Sequence, residues 1–438
     1  MADVRPFRGV TYDPARVALD SVISPPYDVI SPRQQEAYYA RDPHNFVRVI
    51  LNRAPGAERY HAAARDLEAW LEESVLRRDP EPSFYVHRVT FDVPRTGGST
   101  RVSRTGLLAA VRLEPWAAGA VRPHEHTMPG PKQDRLSLME ATHADTEPIW
   151  VFHPDPGREL IGALEAIAAE PPTLHATFRP VANVPGAESV ESHELWRVSD
   201  PATVAQLARV ASAVPLYIAD GHHRYETALH HAQQAGGGPE DASRFKVMLL
   251  SAMEDPGLLV LPTHRLVKLP AGHTLGELLG GLMSWGWVSE QPAGLGDLVA
   301  RLATPSPPGT LGFGLIAERR HTYLEGVVPA AELAGLAPSI AALDVGLLHN
   351  GVLRPLLGIG EAELAAGVVV AYSRDAAEVE ARVRQGEFDL GILTRAPSLA
   401  QVQAVADAGE NMPQKSTYFW PKPASGLVMM LQPPGEVP

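Results

Sequence analysis

Three short stretches of the chain carry residue types at spacings that suit chemistry. The first is Ala219-Asp220-Gly221-His222-His223-Arg224-Tyr225, at the end of an apolar run. A strand that ends in a glycine turn and feeds a helix aims the first amides of that helix beyond its end. Those amides and the helix dipole favour an anion, phosphate above all. Arg224 can add a two-pronged contact, and the paired histidines can donate further hydrogen bonds. The plain alternative is a helix start capped by Asp220 with solvated basic residues around it.

The second stretch is Val121-Arg122-Pro123-His124-Glu125-His126-Thr127, followed by Lys132, Asp134 and Arg135. A carboxylate between histidines suits a general base or a magnesium ligand. It is not the zinc motif His-Glu-x-x-His, because Met128 stands where the second histidine belongs. The His124/His126 pair remains a metal candidate in a chain with 17 histidines, and a polar surface loop is the alternative. The third stretch, Asn411 to Trp420, places Lys415, Ser416 and Thr417 in a row. One cation and two hydroxyls suit phosphate or a small polar substrate. A P-loop is excluded, since its glycines are absent and no helical pattern follows. An exposed turn before an aromatic strand would look the same.

The elements around these stretches are readable. VPLYIAD is a buried strand that runs into the helix HHRYETALHHAQQA, which the glycines 236–238 end. SPPYDVIS is turn-rich and predicts a helix start with Ser31 as N-cap, Pro32 at the first position and Gln34 closing a capping box. Apolar spacing predicts a helix over about 58–77. SFYVHRVTFDV and RVSRTGLLAAVRL read as strands joined across PRTGG. PIWVFH and RFKVMLLSA are further strands, and Asp200-Pro201 opens another helix. Residues 266–370 show Gly/Pro breaks around two helical stretches. The last part alternates again: helix DAAEVEARVRQ, strand FDLGILT, helix SLAQVQAVADA and a final apolar strand near 426–432. The chain therefore reads as an α/β (α+β) protein of several segments, in keeping with 438 residues at roughly 150 per domain.

Composition narrows the function. A formal charge of −13 repels nucleic acid and anionic membranes as bulk partners. No cysteine is present, which excludes disulfides, Cys–zinc sites, iron–sulfur clusters and thiol nucleophiles. No run approaches the roughly 18 apolar residues of a membrane helix. The opening MADVRPFRGVTYDP has charges where a signal peptide needs an apolar stretch, so a cytoplasmic location is expected.

Taken together, the ordered set Arg122-Pro123-His124-Glu125, Ile218-Ala219-Asp220-Gly221-His222-His223-Arg224, and Gly386-Glu387-Phe388-Asp389 with Arg395-Ala396-Pro397 resembles the free serine kinases of the ParB/sulfiredoxin-like superfamily. The Pro413–Thr417 loop follows at the matching place. The whole chain also resembles a widespread family of longer, uncharacterised prokaryotic proteins, in which SPPYDVIS, HEHTMPGPKQDR and MPQKSTYF recur. The kinase resemblance covers about a third of the chain. It implies a ParB/sulfiredoxin-like nucleotide-binding core over 116–265, an N-terminal α+β segment over 1–115, an inserted α/β segment over 266–370 and a C-terminal segment, 371–438, completing the site. It further implies that Glu125 takes the proton from the acceptor hydroxyl and that Asp220 sits beside the phosphates and a magnesium ion. Gly221, His222, His223, Arg224 and Lys415 would hold the phosphates of ATP or ADP, and Ser416 and Thr417 the substrate. The chemistry of phosphoryl transfer agrees, since it needs clamping of the moving group, a metal and a placed base.

The implied activity is a kinase acting on free L-serine or a similar small hydroxyl metabolite. The basic residues that follow the kinase loop are replaced here by Tyr418-Phe419. His264 and Arg265, at the end of the apolar run LLVL, are candidates for the missing carboxylate anchor, or else solvated loop residues. Two other readings compete. One is a ParB-like nucleotide switch. The other is a metal-dependent hydrolase using His124, His126 and His222. Sulfiredoxin chemistry is excluded because it needs a cysteine in the phosphate turn.

Overall fold

The computed structural model describes residues 1–95, 98–127, 129–181, 190–307, 309–360, 363–364 and 367–438. Two compact units are present. The first joins Met1–Pro123, Thr127–Leu259 and Pro421–Pro438; the second joins His124–His126 and Val260–Trp420. Each mixes helices and sheets.

In the first unit a nine-stranded sheet runs Val121–Arg122, Leu216–Asp220, Ile149–His153, Phe245–Ala252, Gly98–Arg112, Phe84–Arg95, Glu191–Val198, Leu174–Phe178, with Val4–Arg5 added on Gly98–Arg112. Two pairings are parallel: Leu216–Asp220 with Val121–Arg122, and Phe245–Ala252 with Ile149–His153. The long hairpin is antiparallel, Tyr85 opposite Leu108. Residues 96 and 97 of its expected turn lie outside the described residues. One sheet face packs Val86, Leu107, Ile149, Ile218 and Leu250 against helices that include Tyr225 and Ala228. The strands Ile149–His153 and Phe245–Ala252 are buried along their whole length, the polar Lys246 and Ser251 included, as expected for strands covered on both faces. A second, antiparallel sheet orders Leu76–Arg78, Gly9–Tyr12, Met429–Leu431 and Ala144–Asp145, so both chain ends are tied down beside the first unit's core.

Local signals worked where they were chemically explicit. Ser31 accepts the Gln34 amide and Gln34 returns the bond, with Pro32 in the first turn. Asp200 caps Pro201–Ser212. The expected 58–77 helix is shorter, Glu58–Glu72, because Ser74 adopts a left-handed φ of 58° and Leu76 opens a strand. A helix over Pro129–Thr142 begins with Pro-Gly-Pro itself and has little apolar period.

The second unit is built on a six-stranded sheet ordered Val288–Glu290, Arg320–Gly326, Leu311–Ala317, Leu390–Leu393, His264–Val267, Val370–Ser373, with antiparallel pairings throughout. Within 266–370 lie the helices Leu275–Ser284 and Leu295–Ala303 and the shorter Pro338–Ala341, Asp344–Leu348 and Arg354–Leu357; the hairpin of Leu311–Ala317 with Arg320–Gly326 is not foreshadowed there. A π-helical turn, His349–Leu353, buries His349. Apolar clusters cover both faces of this sheet.

Candidate functional site

The strand Leu216–Asp220 is buried until its last residue, and Gly221 then turns the chain with φ 108° and ψ 25° into the helix His222–Gln234. That φ lies where side chains are strained. A Cβ on Gly221 would also meet the Arg224 guanidinium at 3.2 Å. The guanidinium therefore folds back over the glycine rather than reaching outward. It bonds the Pro148 carbonyl at 2.7 Å and pairs with Asp220 Oδ2. Asp220 is thus not the helix cap; the helix start has no side-chain cap. His222 is buried and His223 half-buried.

Lys422 completes the arrangement. Its Nζ lies 2.7 Å from Asp220 Oδ1 and also pairs with Asp28. Burial alone would raise the Asp220 carboxyl, but Lys422 and Arg224 beside it pull it down to about 2. Burial would lower the Lys422 ammonium, yet Asp220 and Asp28 hold it well above its ordinary value. Behind this bridge lies a second set of charges. Glu147 accepts from the Tyr27 amide and the Ser425 hydroxyl, each at 3.1 Å, and pairs with Arg135 at 3.3 Å. Lys246 pairs with Asp145 and donates to the Glu147 carbonyl at 2.9 Å. Arg135, Asp145, Glu147, Arg224 and Lys246 line a cavity of about 20 Å³, room for about one water. Lys132 is spoken for by Glu226.

Asp28, Glu147, Lys246 and Lys422 carried no functional reading in the sequence. The available signal was SPPYDVIS and HEHTMPGPKQDR themselves. The first carries Tyr27, bonded to Glu147, and Asp28, paired with Lys422; the second carries Arg135, paired with Glu147.

A magnesium ion does not suit Asp220 as it is held here. One carboxylate oxygen is shared with Lys422 and the other with Arg224. A divalent ion about 4 Å from either cation would meet a repulsion of roughly 8 kcal/mol at an effective dielectric near 20. Among the described residues no three His, Asp or Glu side chains gather as a metal site. That includes His124, His126 and His222.

Within the second unit, His124–His126 of the second stretch meets the third stretch. The His124 carbonyl accepts the Met412 amide at 2.8 Å, and its Nε2 lies 3.2 Å from Thr417 Oγ1. Glu125, next in the chain, is half-buried. Ser416 is buried with its hydroxyl donating to the Pro413 carbonyl, while Lys415 is exposed at a left-handed φ of 55°.

His264 and Arg265 are not solvated loop residues. They open the strand His264–Val267 and are 6% and 1% exposed. Arg265 donates to His349 Nε2 at 3.1 Å, to the Thr263 carbonyl, to Thr394 Oγ1 at 3.4 Å and to the Lys415 carbonyl at 3.5 Å. Among the described residues no carboxylate pairs with it. Burial pushes its guanidinium down to about 10, and burial and then Arg265 push His264 down to about 4. His264 is therefore neutral near pH 7, and its Nδ1 accepts the Thr394 amide at 3.2 Å, which leaves the proton on Nε2.

The family described as "Protein of unknown function (DUF1015)" matches residues 4–346, and the chain belongs to it. No curated protein matches the sequence. Solved structures are similar only remotely. A free serine kinase in complex with AMP shares 14% identity at a TM-score of 0.33, covering 68% of this chain and 83% of that one. SbnI from Staphylococcus aureus, truncated at its C-terminus, shares 14% at 0.34, covering 74% and 86%. A conserved hypothetical protein from Pyrococcus furiosus shares 14% at 0.31, covering 68% and 87%. Similarity this remote decides neither fold nor function. No helix among the described residues is long and apolar enough to cross a membrane.

Proposed function

We propose that this chain, as a member of that family, is a nucleotide-dependent phosphotransferase that passes a phosphoryl group to the hydroxyl of a small metabolite, free L-serine or a close relative. The observation that carries the reading is the turn Asp220–Arg224. A buried strand ends, a glycine in the left-handed region turns the chain, and a helix of 13 residues begins without a side-chain cap. Such an end favours phosphate through its first-turn amides. The donor is ATP or ADP, held by the Gly221–His223 turn. Arg224 braces the turn from beneath. No role falls to a metal at Asp220. The motif resemblance, rather than any measured likeness of shape, supports assigning this part to the ParB/sulfiredoxin-like class.

The acceptor is assigned to the second unit. Glu125 takes the hydroxyl proton, and Ser416 and Thr417 line the substrate. Arg265 supports an amino-acid acceptor, because a buried cation without a carboxylate partner is costly and a substrate carboxylate offsets that cost. His264 offers a neutral N–H donor beside it. The test is equilibrium binding of ADP and ATP to the wild type and to Glu125→Gln. Both should bind with similar affinity, because Glu125 is assigned to proton transfer. Failure of the wild type to bind either nucleotide would overturn the reading.

A further inference from the structure

Every charge at the phosphate turn already has a partner of opposite sign, and one of those pairs is unlike the rest. Asp220 holds Arg224 and Lys422 from a half-buried position, its side chain 17% exposed. Lys422 is 10% exposed, whereas its other partner, Asp28, is 39% exposed. Asp28 stands on the short helical turn Tyr27–Val29, in the motif SPPYDVIS, and is the solvent-side end of the Asp220–Lys422–Asp28 bridge. An exposed carboxylate on an ammonium that also holds Asp220, the residue before Gly221, has the charge and hydrogen-bonding character of a phosphate oxygen.

We propose that Lys422 is the cation with which the turn meets a phosphate, and that Asp28 holds its place until the phosphate arrives. The incoming phosphate takes over the Asp28 side of the ammonium, while Asp220 keeps Lys422 positioned from behind. The turn then binds a phosphate without a divalent ion at Asp220, because the required positive charge is built into the chain. This inference rests on the reading of Asp220–Arg224 as a phosphate site, and its test separates the two.

Binding of inorganic pyrophosphate and of ADP is measured by calorimetry in EDTA and again with magnesium. The proteins are the full-length wild type, Lys422→Met and Asp28→Asn, with circular dichroism confirming the fold of each. Lys422→Met should weaken binding in EDTA by roughly 10- to 100-fold, the loss of a charge-assisted contact. Asp28→Asn should tighten it by roughly 3- to 10-fold, because a competing anion is removed. A bridge that merely supports the fold would weaken binding in both variants, and that result overturns the proposal. So does wild-type binding that needs magnesium and ignores Lys422→Met. If neither probe binds any of the proteins with or without magnesium, the phosphate site itself is wrong. Should Lys422→Met fail to fold, the opposite sign expected of Asp28→Asn still decides the matter.

Discussion

Replacing Asp220 by Asn tests whether the carboxylate holds the turn together by charge. The substitution keeps the shape and removes the anion shared by Lys422 and Arg224. Those two cations outweigh burial and bring the carboxyl from 3.8 to about 2, a shift on the order of 2 to 3 kcal/mol at about 1.36 kcal/mol per unit. Because the folded value is the lower one, this stability is complete above about pH 4 and fades as pH falls toward 2. By the same linkage roughly half of it remains at pH 3. Hydrogen exchange followed by mass spectrometry, corrected for intrinsic rates, reads the effect on peptides covering Leu216–Asp220 and Phe245–Ala252. At pH 7 Asp220→Asn should lose roughly 50- to 100-fold in protection, more where the orphaned cations add their own cost. The gap to the wild type should narrow between pH 5 and pH 3. A gap that is the same at pH 7 and pH 3, or that widens in acid, would refute the charge argument and leave Asp220 as a packing residue.

Gly221→Ala should destabilise the turn by roughly 1–3 kcal/mol, from the left-handed φ and the push on the Arg224 guanidinium. A lower melting temperature with weaker ADP binding is the expected reading, and an unchanged affinity would count against the turn as the phosphate site. Arg265→Lys keeps a buried cation but loses the planar fork that reaches His349, Thr394 and Lys415. Its KM for the acceptor should rise with nucleotide affinity unchanged. A parallel loss of both would argue that Arg265 serves the fold alone.

The local half of this structure was written plainly in the chain. Ser31 with Gln34, and Asp200 with Pro201, are capping signals that depend on neighbours three or four residues away. The strand–glycine–helix at 216–234 needs only an apolar run and one residue able to take a positive φ. What the chain concealed is long-range. Asp28, Asp220 and Lys422 meet only because the C-terminal segment returns to the first unit. Nothing near Pro421-Lys422-Pro423 announces a buried ion pair. His264 and Arg265 misled for the same reason. They read as the end of the apolar run LLVL or as a solvated loop, yet the antiparallel pairing of His264–Val267 with Val370–Ser373 and Leu390–Leu393 puts them inside a sheet. The hairpin over 311–326 was hidden by glycines that admit close neighbours. A Cβ on Gly312 would strike the Tyr323 ring, and one on Gly314 would press on Leu298.

The direct test of phosphoryl transfer is phosphorus NMR of ATP or ADP incubated with the wild-type protein and each of serine, homoserine, threonine and small polyols. A new phosphate-monoester signal, matched to one acceptor, is the predicted result. Glu125→Gln should form it roughly 10²-fold more slowly while still binding the nucleotide. Nucleotide that stays intact with every acceptor, or that releases only inorganic phosphate at a rate no acceptor changes, would contradict the assignment and favour a nucleotide switch.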